Sequence, residues 1–182
     1  MFALRTALSR SSRIATIPRN TLKLFLRCNS SSATTKNLLN KAELPFTYSA
    51  SGPTQIKYSK DHEWIALHPD GVAFMGITTY AANALGDVTY IELPETGRSV
   101  KAGDTIGSVE SVKSASEVYI PVDATVVEVN TALEGSPQLV NSDPMGKGWM
   151  VKLQVNEADN MENLNDLLSL DQYEESLKND DE

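Results

Sequence analysis

Cysteine is almost absent from this chain of 182 residues, in which Cys28 is the only one. An intramolecular disulfide and a metal site built from several thiolates are therefore excluded. Histidine is scarce as well, and His62 and His68 cannot alone supply the three or four ligands of a protein metal site. No spacing in the sequence resembles a catalytic triad. These absences predict a protein with no metal centre and no catalytic residues of its own.

Acidic residues are almost missing from the first 46 positions, where eight basic residues accompany Glu43 alone and the net charge is +7. The rest of the chain holds eight basic and 23 acidic residues, a net charge of −15. The first segment is rich in Ser, Thr, Arg and Leu, a composition typical of mitochondrial transit peptides. A basic nucleic-acid-binding arm is the alternative. It is less favoured because aromatic and glycine residues do not interleave the basic clusters.

We therefore expect residues 1–46 to be a mitochondrial transit peptide and disordered leader, cleaved in the Ser/Thr-rich stretch after Arg27. The mature protein would lie in the mitochondrial matrix and would have lost Cys28, as suits a reducing compartment. Residues 47–182 are long enough for one hydrophobic core. Their acidity favours partners with basic surfaces and disfavours nucleic acid and membranes. No run of about 20 apolar residues provides a membrane span.

Short β segments separated by turn residues occupy the middle of the chain. Several show the alternation of apolar and polar residues that is typical of half-buried strands. The predicted strands are 55–58, 63–67, 72–77, 87–93, 105–110, 117–120, 125–130 and 149–155. They indicate a mainly β domain, an antiparallel sandwich or flattened barrel.

A few helices complete this prediction. A short helix is expected near 78–85, because Thr78 offers an N-cap hydroxyl and Gly86 suits the position after the last turn. Apolar residues at helical spacing predict C-terminal helices over 160–170 and 171–178.

Lys113 stands in a compact tip, 111–116, among Ser, Val and Ala residues between two predicted strands. Such a lysine either keeps a turn soluble or carries a prosthetic group. A long flexible stem on a rigid hairpin, with small neighbours, would be accessible to a modifying enzyme. Acylation would remove its charge. The residues alone leave both roles open.

The motif Glu110-Ser111-Val112-Lys113-Ser114 resembles the lipoylation motif of glycine cleavage system H proteins, in which the lysine is the acceptor. Further landmarks of that family follow in the same order from Tyr58 to the C-terminal helix. They are Lys60-Asp61-His62-Glu63-Trp64, Gly76-Ile77-Thr78, Leu85-Gly86-Asp87, Glu92-Leu93-Pro94, Gly97, Val129-Asn130 and Gly148-Trp149-Met150. Several separated motifs in one order are far more specific than a single short match. Ser114 and Tyr119 depart from the family pattern, while the Lys113 core is intact.

The resemblance implies a lipoyl-domain-like fold, a flattened antiparallel barrel-sandwich hybrid, with lipoic acid attached to Lys113 as N6-lipoyllysine. It implies a carrier and not an enzyme. A pyridoxal-phosphate-dependent glycine decarboxylase (P-protein) loads the aminomethyl group of glycine onto the arm. A tetrahydrofolate-dependent aminomethyltransferase (T-protein) takes the one-carbon unit, and dihydrolipoyl dehydrogenase (L-protein) receives the reducing equivalents. Lipoylating enzymes are further partners, and a carrier that visits several enzymes is most simply a monomer.

The resemblance also implies a groove that shelters the loaded arm from water. Glu63 matches a family position that lines this groove, and its carboxylate would pair with the aminomethyl ammonium. Glu117 is close enough in sequence to the tip to contribute. The plain alternative for Glu63 is a solvated strand carboxylate. We expect His62 to be structural, and Trp64 and Trp149 to be core anchors.

Other carriers fit less well. Biotin carriers usually place methionines beside the acceptor lysine, and lipoyl domains of 2-oxoacid dehydrogenases typically carry Asp-Lys-Ala, whereas this chain has Val112-Lys113-Ser114. An unmodified interaction domain, with Lys113 as a simple turn residue, also stays open. Some H proteins additionally relay lipoyl groups to 2-oxoacid dehydrogenases, and nothing in the sequence marks that role.

Overall fold

Two antiparallel sheets carry the fold in the computed structural model, which describes residues 37–40, 52–155 and 161–180. In chain order the strands are β1 (Gln55–Tyr58), β2 (Glu63–Leu67), β3 (Val72–Ile77), β4 (Val88–Glu92), β5 (Ser99–Val100), β6 (Thr105–Ser111), β7 (Ala115–Tyr119), β8 (Ala124–Val129) and β9 (Val151–Val155). The larger sheet has the spatial order β1-β2-β3-β9-β8-β5, and the smaller one β4-β6-β7. The predicted mainly β, antiparallel architecture is confirmed, and within the described residues the sheets do not close into a barrel.

The helices are α1 (Thr79–Leu85), α2 (Ala132–Gly135), α3 (Leu139–Ser142), α4 (Met161–Asp166) and α5 (Leu170–Asp180). The first begins as predicted, since the Thr78 hydroxyl accepts a hydrogen bond of 3.2 Å from the Ala81 amide. It ends at Gly86, whose φ of 76° is accessible to glycine at little cost. None of the helices in the described ranges has the length and apolar character needed to cross a membrane.

The prediction of one helix over 160–170 is wrong at its C-terminal end. Leu168 forms a backbone bridge with Tyr58 through hydrogen bonds of 2.8 and 3.0 Å, which satisfies polar groups on the edge strand β1. A new helix, α5, follows Ser169. Its first turn is a capping box in which the Ser169 amide donates to Gln172 Oε1 (2.9 Å) and the Gln172 amide donates to Ser169 Oγ (3.3 Å). Apolar spacing alone does not reveal such an interruption.

Strand β2 is buried on both faces because the larger sheet separates two hydrophobic clusters. Ile65 and Leu67 belong to the cluster that contains side chains of both sheets. Trp64 belongs to the second cluster together with Trp149 and with Tyr173 of α5. The prediction that both tryptophans are core residues is confirmed. The C-terminal helix therefore completes a core of its own.

Four residues of the segment predicted as a leader, 37–40, pack against this second cluster. Leu39 is one of its members, and Asn37 is buried. The division of the chain at residue 46 stays a prediction.

Candidate functional site

Lys113 lies at the tip of the hairpin formed by β6 and β7. The two strands approach the tip more closely than predicted, so that only 112–114 connect them rather than 111–116. Ser111 closes the tip: its amide donates to the Ser114 carbonyl at 2.7 Å. Its hydroxyl oxygen accepts hydrogen bonds from the Lys113 and Ser114 amides at 3.2 and 3.1 Å. These bonds define the backbone from which the lysine projects.

The Lys113 side chain is exposed and lies across the end of α1. A Cβ atom built on Gly86 would come within 2.9 Å of Lys113 Cε and 3.1 Å of Nζ. Asn141 of α3 holds this end of the helix, because its Nδ2 donates to the Gly86 carbonyl (2.7 Å) and its Oδ1 accepts from the Val88 amide (2.9 Å). The missing side chain at position 86 therefore leaves room for the lysine stem.

A cavity of about 270 Å³ adjoins the hairpin tip. Ser114, next to Lys113 in the chain, lines it together with both predicted carboxylates, Glu63 and Glu117. Small and apolar side chains from β3, α1, β6 and β7 form much of the remaining wall. These are Ile77, Ala81, Ala84, Leu85, Val109, Ala115 and Val118. The structure thus brings the two carboxylates into one cavity beside the lysine-bearing tip.

Glu63 is a buried carboxylate, 2% exposed, and not a solvated one. Its Oε1 accepts a hydrogen bond of 3.0 Å from the Tyr119 amide, and its Oε2 accepts one from the Ser59 hydroxyl. The Ser59 oxygen in turn accepts from the Glu63 amide at 2.9 Å. Burial raises the pKa of the Glu63 carboxyl above its ordinary value, while the bonds from Ser59 and Tyr119 oppose that rise. The group is therefore both desolvated and fixed in orientation.

Glu117 is exposed and is held differently. Its Oε2 accepts a hydrogen bond of 2.6 Å from the Tyr119 hydroxyl and a longer one of 3.4 Å from Thr105. The bond to Glu117 raises the pKa of the Tyr119 hydroxyl. Tyr119 thus contacts both carboxylates, through its amide and its hydroxyl.

Sequence reasoning missed the part that Ser59, Tyr119 and Gly86 play at this site. Tyr119 stood out only as a departure from the family pattern, and Ser59 precedes Glu63 by four residues with no motif to mark it. Ser59 contacts Glu63 across a turn, and Tyr119 contacts it from the neighbouring sheet, so a linear pattern shows neither contact. His62, expected to be structural, lines the cavity, and its Nδ1 is 2.9 Å from the Tyr173 hydroxyl.

Within the ranges that the structure describes, no group of three or more His, Cys, Asp and Glu side chains is arranged to hold a metal ion. The site therefore combines the exposed Lys113 amine with a partly apolar cavity that is lined by three carboxylates, Asp61, Glu63 and Glu117, and by His62.

Comparison with known proteins places this geometry in a family. The family model described as glycine cleavage H-protein matches residues 56–180. The mitochondrial glycine cleavage system H protein of Saccharomyces cerevisiae is 53% identical over 178 residues, which cover 98% of this chain and 99% of that protein. The chain belongs to the glycine cleavage H-protein family.

Two further relatives share its domain. The H protein of Staphylococcus epidermidis is 50% identical over 125 residues, which cover 69% of this chain and 96% of that protein. A crystal structure of the H protein from Mycobacterium marinum has a TM-score of 0.61 at 37% identity, and the match covers 69% of this chain and 98% of that chain.

Membership of the H-protein family confirms three of the sequence predictions. The protein is a lipoyl-carrier component of the glycine cleavage system and not itself a catalyst. It is mitochondrial, as is the S. cerevisiae relative that aligns with nearly its whole length. The residues present also fit a lipoyl group, because an exposed lysine on a fixed tip adjoins a cavity with apolar walls suited to a hydrocarbon chain.

Proposed function

We propose that this H protein carries its lipoyl group on Lys113 and works as the mobile carrier of the glycine cleavage system in the mitochondrial matrix. One observation carries the proposal: the exposed Lys113 amine lies on a hairpin tip beside a cavity that contains the buried Glu63 carboxylate. The transit segment lies within residues 1–46 and is cleaved in the Ser/Thr-rich stretch after Arg27. The mature chain moves between the glycine decarboxylase, the aminomethyltransferase and dihydrolipoyl dehydrogenase, and it does so as a monomer.

The bound lipoyl group supplies thiol–disulfide exchange, a chemistry that a chain with one cysteine in its leader lacks. The residues of this chain supply position and shelter. The hairpin fixes where the arm begins, and the apolar walls at Ala81, Ala84 and Leu85 exclude water from whatever the cavity holds. Glu63 places a carboxylate where an ammonium group on the arm would find a counter-charge, and Glu117 borders the same space.

Mass spectrometry of the protein purified from mitochondria tests the attachment site. A lipoyl mass addition on the peptide containing Lys113 is expected. Lys113→Arg should abolish glycine-dependent NADH formation by mitochondrial extract and leave the fold intact, because the side chain is exposed. Lys101→Arg, which changes another exposed turn lysine, is the matched control and should keep full activity. Unmodified Lys113 in lipoylation-competent cells, or an active Lys113→Arg variant, would refute the proposal.

A relay of lipoyl groups to 2-oxoacid dehydrogenases would use the same lysine. Deletion of the gene should then remove lipoylation from those dehydrogenases, and wild type but not Lys113→Arg should restore it. Unaffected dehydrogenase lipoylation after deletion would confine the protein to glycine cleavage.

A further inference from the structure

The segment 37–40, termed the strap, packs across the second hydrophobic cluster. Leu39 is 9% exposed and contributes to that cluster, whereas the adjacent Leu38 is 52% exposed. Two neighbouring leucines therefore occupy opposite environments. This is the pattern of a segment docked by one specific side chain.

Asn37 joins the strap to the start of α1. Its side-chain oxygen accepts a hydrogen bond of 3.1 Å from the Tyr80 amide, and its main-chain carbonyl accepts one of 2.6 Å from the Tyr58 hydroxyl. Tyr80 is the second residue of α1, where a backbone N–H has no partner within the helix. The strap therefore caps an amide that Thr78 does not reach, and it gives the buried Tyr58 hydroxyl an acceptor.

Asn40 joins the strap to the loop 143–145. Its amide donates to the Met145 carbonyl at 2.8 Å, and its Nδ2 lies 3.1 and 3.2 Å from the two Asp143 carboxylate oxygens. The same loop accepts a hydrogen bond of 3.2 Å from Trp64 Nε1 at Pro144. Four residues thus connect a helix that lines the cavity to a loop anchored in the second core.

The strap lies outside the part of the chain that the H-protein family model matches, which begins at residue 56. The S. epidermidis relative is covered over 96% of its own length by 69% of this chain, whereas the mitochondrial S. cerevisiae relative aligns with 98% of it. The strap is therefore an addition to the common domain, and it lies in the predicted leader 1–46 but after the Ser/Thr-rich stretch in which cleavage is expected.

We propose that the strap remains on the mature protein as a structural brace for α1, and that import processing hydrolyses a peptide bond on the N-terminal side of Asn37. Water supplies the new carboxylate and amine ends. The inference rests on the proposed matrix import but not on modification of Lys113. An unmodified lysine would remove the carrier proposal alone, and a mature chain that begins after Asn37 would remove the strap alone.

The intact mass and N-terminal peptide of the protein from mitochondria give the first test. The mature chain is expected to begin at or before Asn37. A sole N-terminus at Leu38 or beyond would overturn the proposal.

Substitutions in the full chain give the second test. Leu39→Ala should lower the midpoint of thermal unfolding by about 4 °C or more, because a buried leucine leaves the second cluster. Leu38→Ala removes the same atoms from an exposed position and should leave the midpoint within about 1 °C. Equal midpoints in the two variants would overturn the docking of the strap.

Hydrogen exchange separates the cap on α1 from general stability. Asn37→Ala should speed exchange of the Tyr80 amide severalfold, whereas Asn37→Asp keeps an acceptor oxygen and should preserve protection. Unchanged exchange at Tyr80 in Asn37→Ala would contradict the brace.

Discussion

Tyr119 joins two of the cavity's carboxylates, Glu63 and Glu117, through different atoms. Its amide is 3.0 Å from Glu63 Oε1, and its hydroxyl is 2.6 Å from Glu117 Oε2. Glu63 lies 56 positions away in the chain and in the other sheet. No local pattern could pair them, although Glu63 itself was predicted from its place in a family motif. At the residue scale, the sequence therefore indicated Glu63 as a candidate site residue but did not indicate its partner Tyr119.

Glu63→Gln should change the way stability depends on pH. The folded-state pKa of Glu63 lies above its ordinary value of 4.5 because the group is buried. The folded protein then holds this proton more tightly than the unfolded chain does. The stability gained from this tighter proton binding is fully present below the ordinary pKa of 4.5. It is lost as pH rises through the folded-state pKa of Glu63. Wild type should therefore lose stability relative to Glu63→Gln from about pH 4 upward, as measured by urea unfolding over a pH series.

Glu134→Gln, on the exposed face of α2, is the control for the loss of one negative charge. A stability difference between wild type and Glu63→Gln that does not vary with pH, or that grows in favour of wild type, would contradict the burial of an ionisable group at this position.

Gly86→Ala should displace the Lys113 stem. Gly86 has φ 76° and ψ −155°, so the substitution costs about 1–3 kcal/mol in backbone strain. The new Cβ would also meet Lys113 Cε at 2.9 Å. The NMR resonances of the Lys113 ε-methylene are expected to shift, and lipoylation by a ligase to change in rate.

Gly97→Ala is the matched control, since Gly97 has φ 86° and no heavy atom within 4 Å of an added Cβ. It shares the strain of a positive φ but should leave the lysine resonances in place. Identical spectra for Lys113 in wild type and Gly86→Ala would argue against this resting position of the stem.

At the scale of elements, α5 supports the edge of the cavity from the second core. The buried Tyr173 hydroxyl is 2.9 Å from His62 Nδ1 and 2.9 Å from Thr78 Oγ1, and its ring stacks on Tyr58 at 5.0 Å. His62 precedes Glu63 directly and has a φ of 71°, which is rare for a residue with a side chain. The helix therefore steadies the turn that leads into the buried carboxylate.

Tyr173→Phe should destabilise the protein by about 1–3 kcal/mol, because it removes one hydroxyl from a buried set of polar groups. Amide exchange in the turn 59–62 should also accelerate. Tyr90→Phe is the control, since Tyr90 is 55% exposed, and its effect should stay within about 0.5 kcal/mol. Equal unfolding free energies for the two variants, measured by urea titration, would show that the Tyr173 hydroxyl contributes nothing.

The charge of the whole molecule is divided between its parts. Residues 1–46 carry +7, and the remainder carries −15. Removal of the leader would leave a strongly acidic carrier whose long-range field attracts partners with basic surfaces. This property needs no particular ion pair and was readable from composition.

Association of the mature protein with glycine decarboxylase, its proposed partner, should therefore depend on salt. Raising NaCl from about 50 mM to about 300 mM should lower the association rate about tenfold, because screening shortens the range of the field. Stopped-flow fluorescence measures the rate, and sucrose at equal osmolality is the control that leaves charge unscreened. A rate insensitive to NaCl would exclude electrostatic steering.

The sequence by itself determined the approximate positions of eight of the nine strands in the described residues (all but β5), α1 with its cap, the acidic balance, the family and the lysine on a hairpin. Each depends on neighbouring residues or on composition, which a linear chain displays directly. Only the tertiary structure decided that the lysine adjoins a cavity, that Glu63 is buried, that Leu168 interrupts the C-terminal helix and that Leu39 docks on the domain. Those outcomes depend on which surfaces meet when the two sheets and α5 pack, because burial and cross-sheet hydrogen bonds arise between residues far apart in the chain.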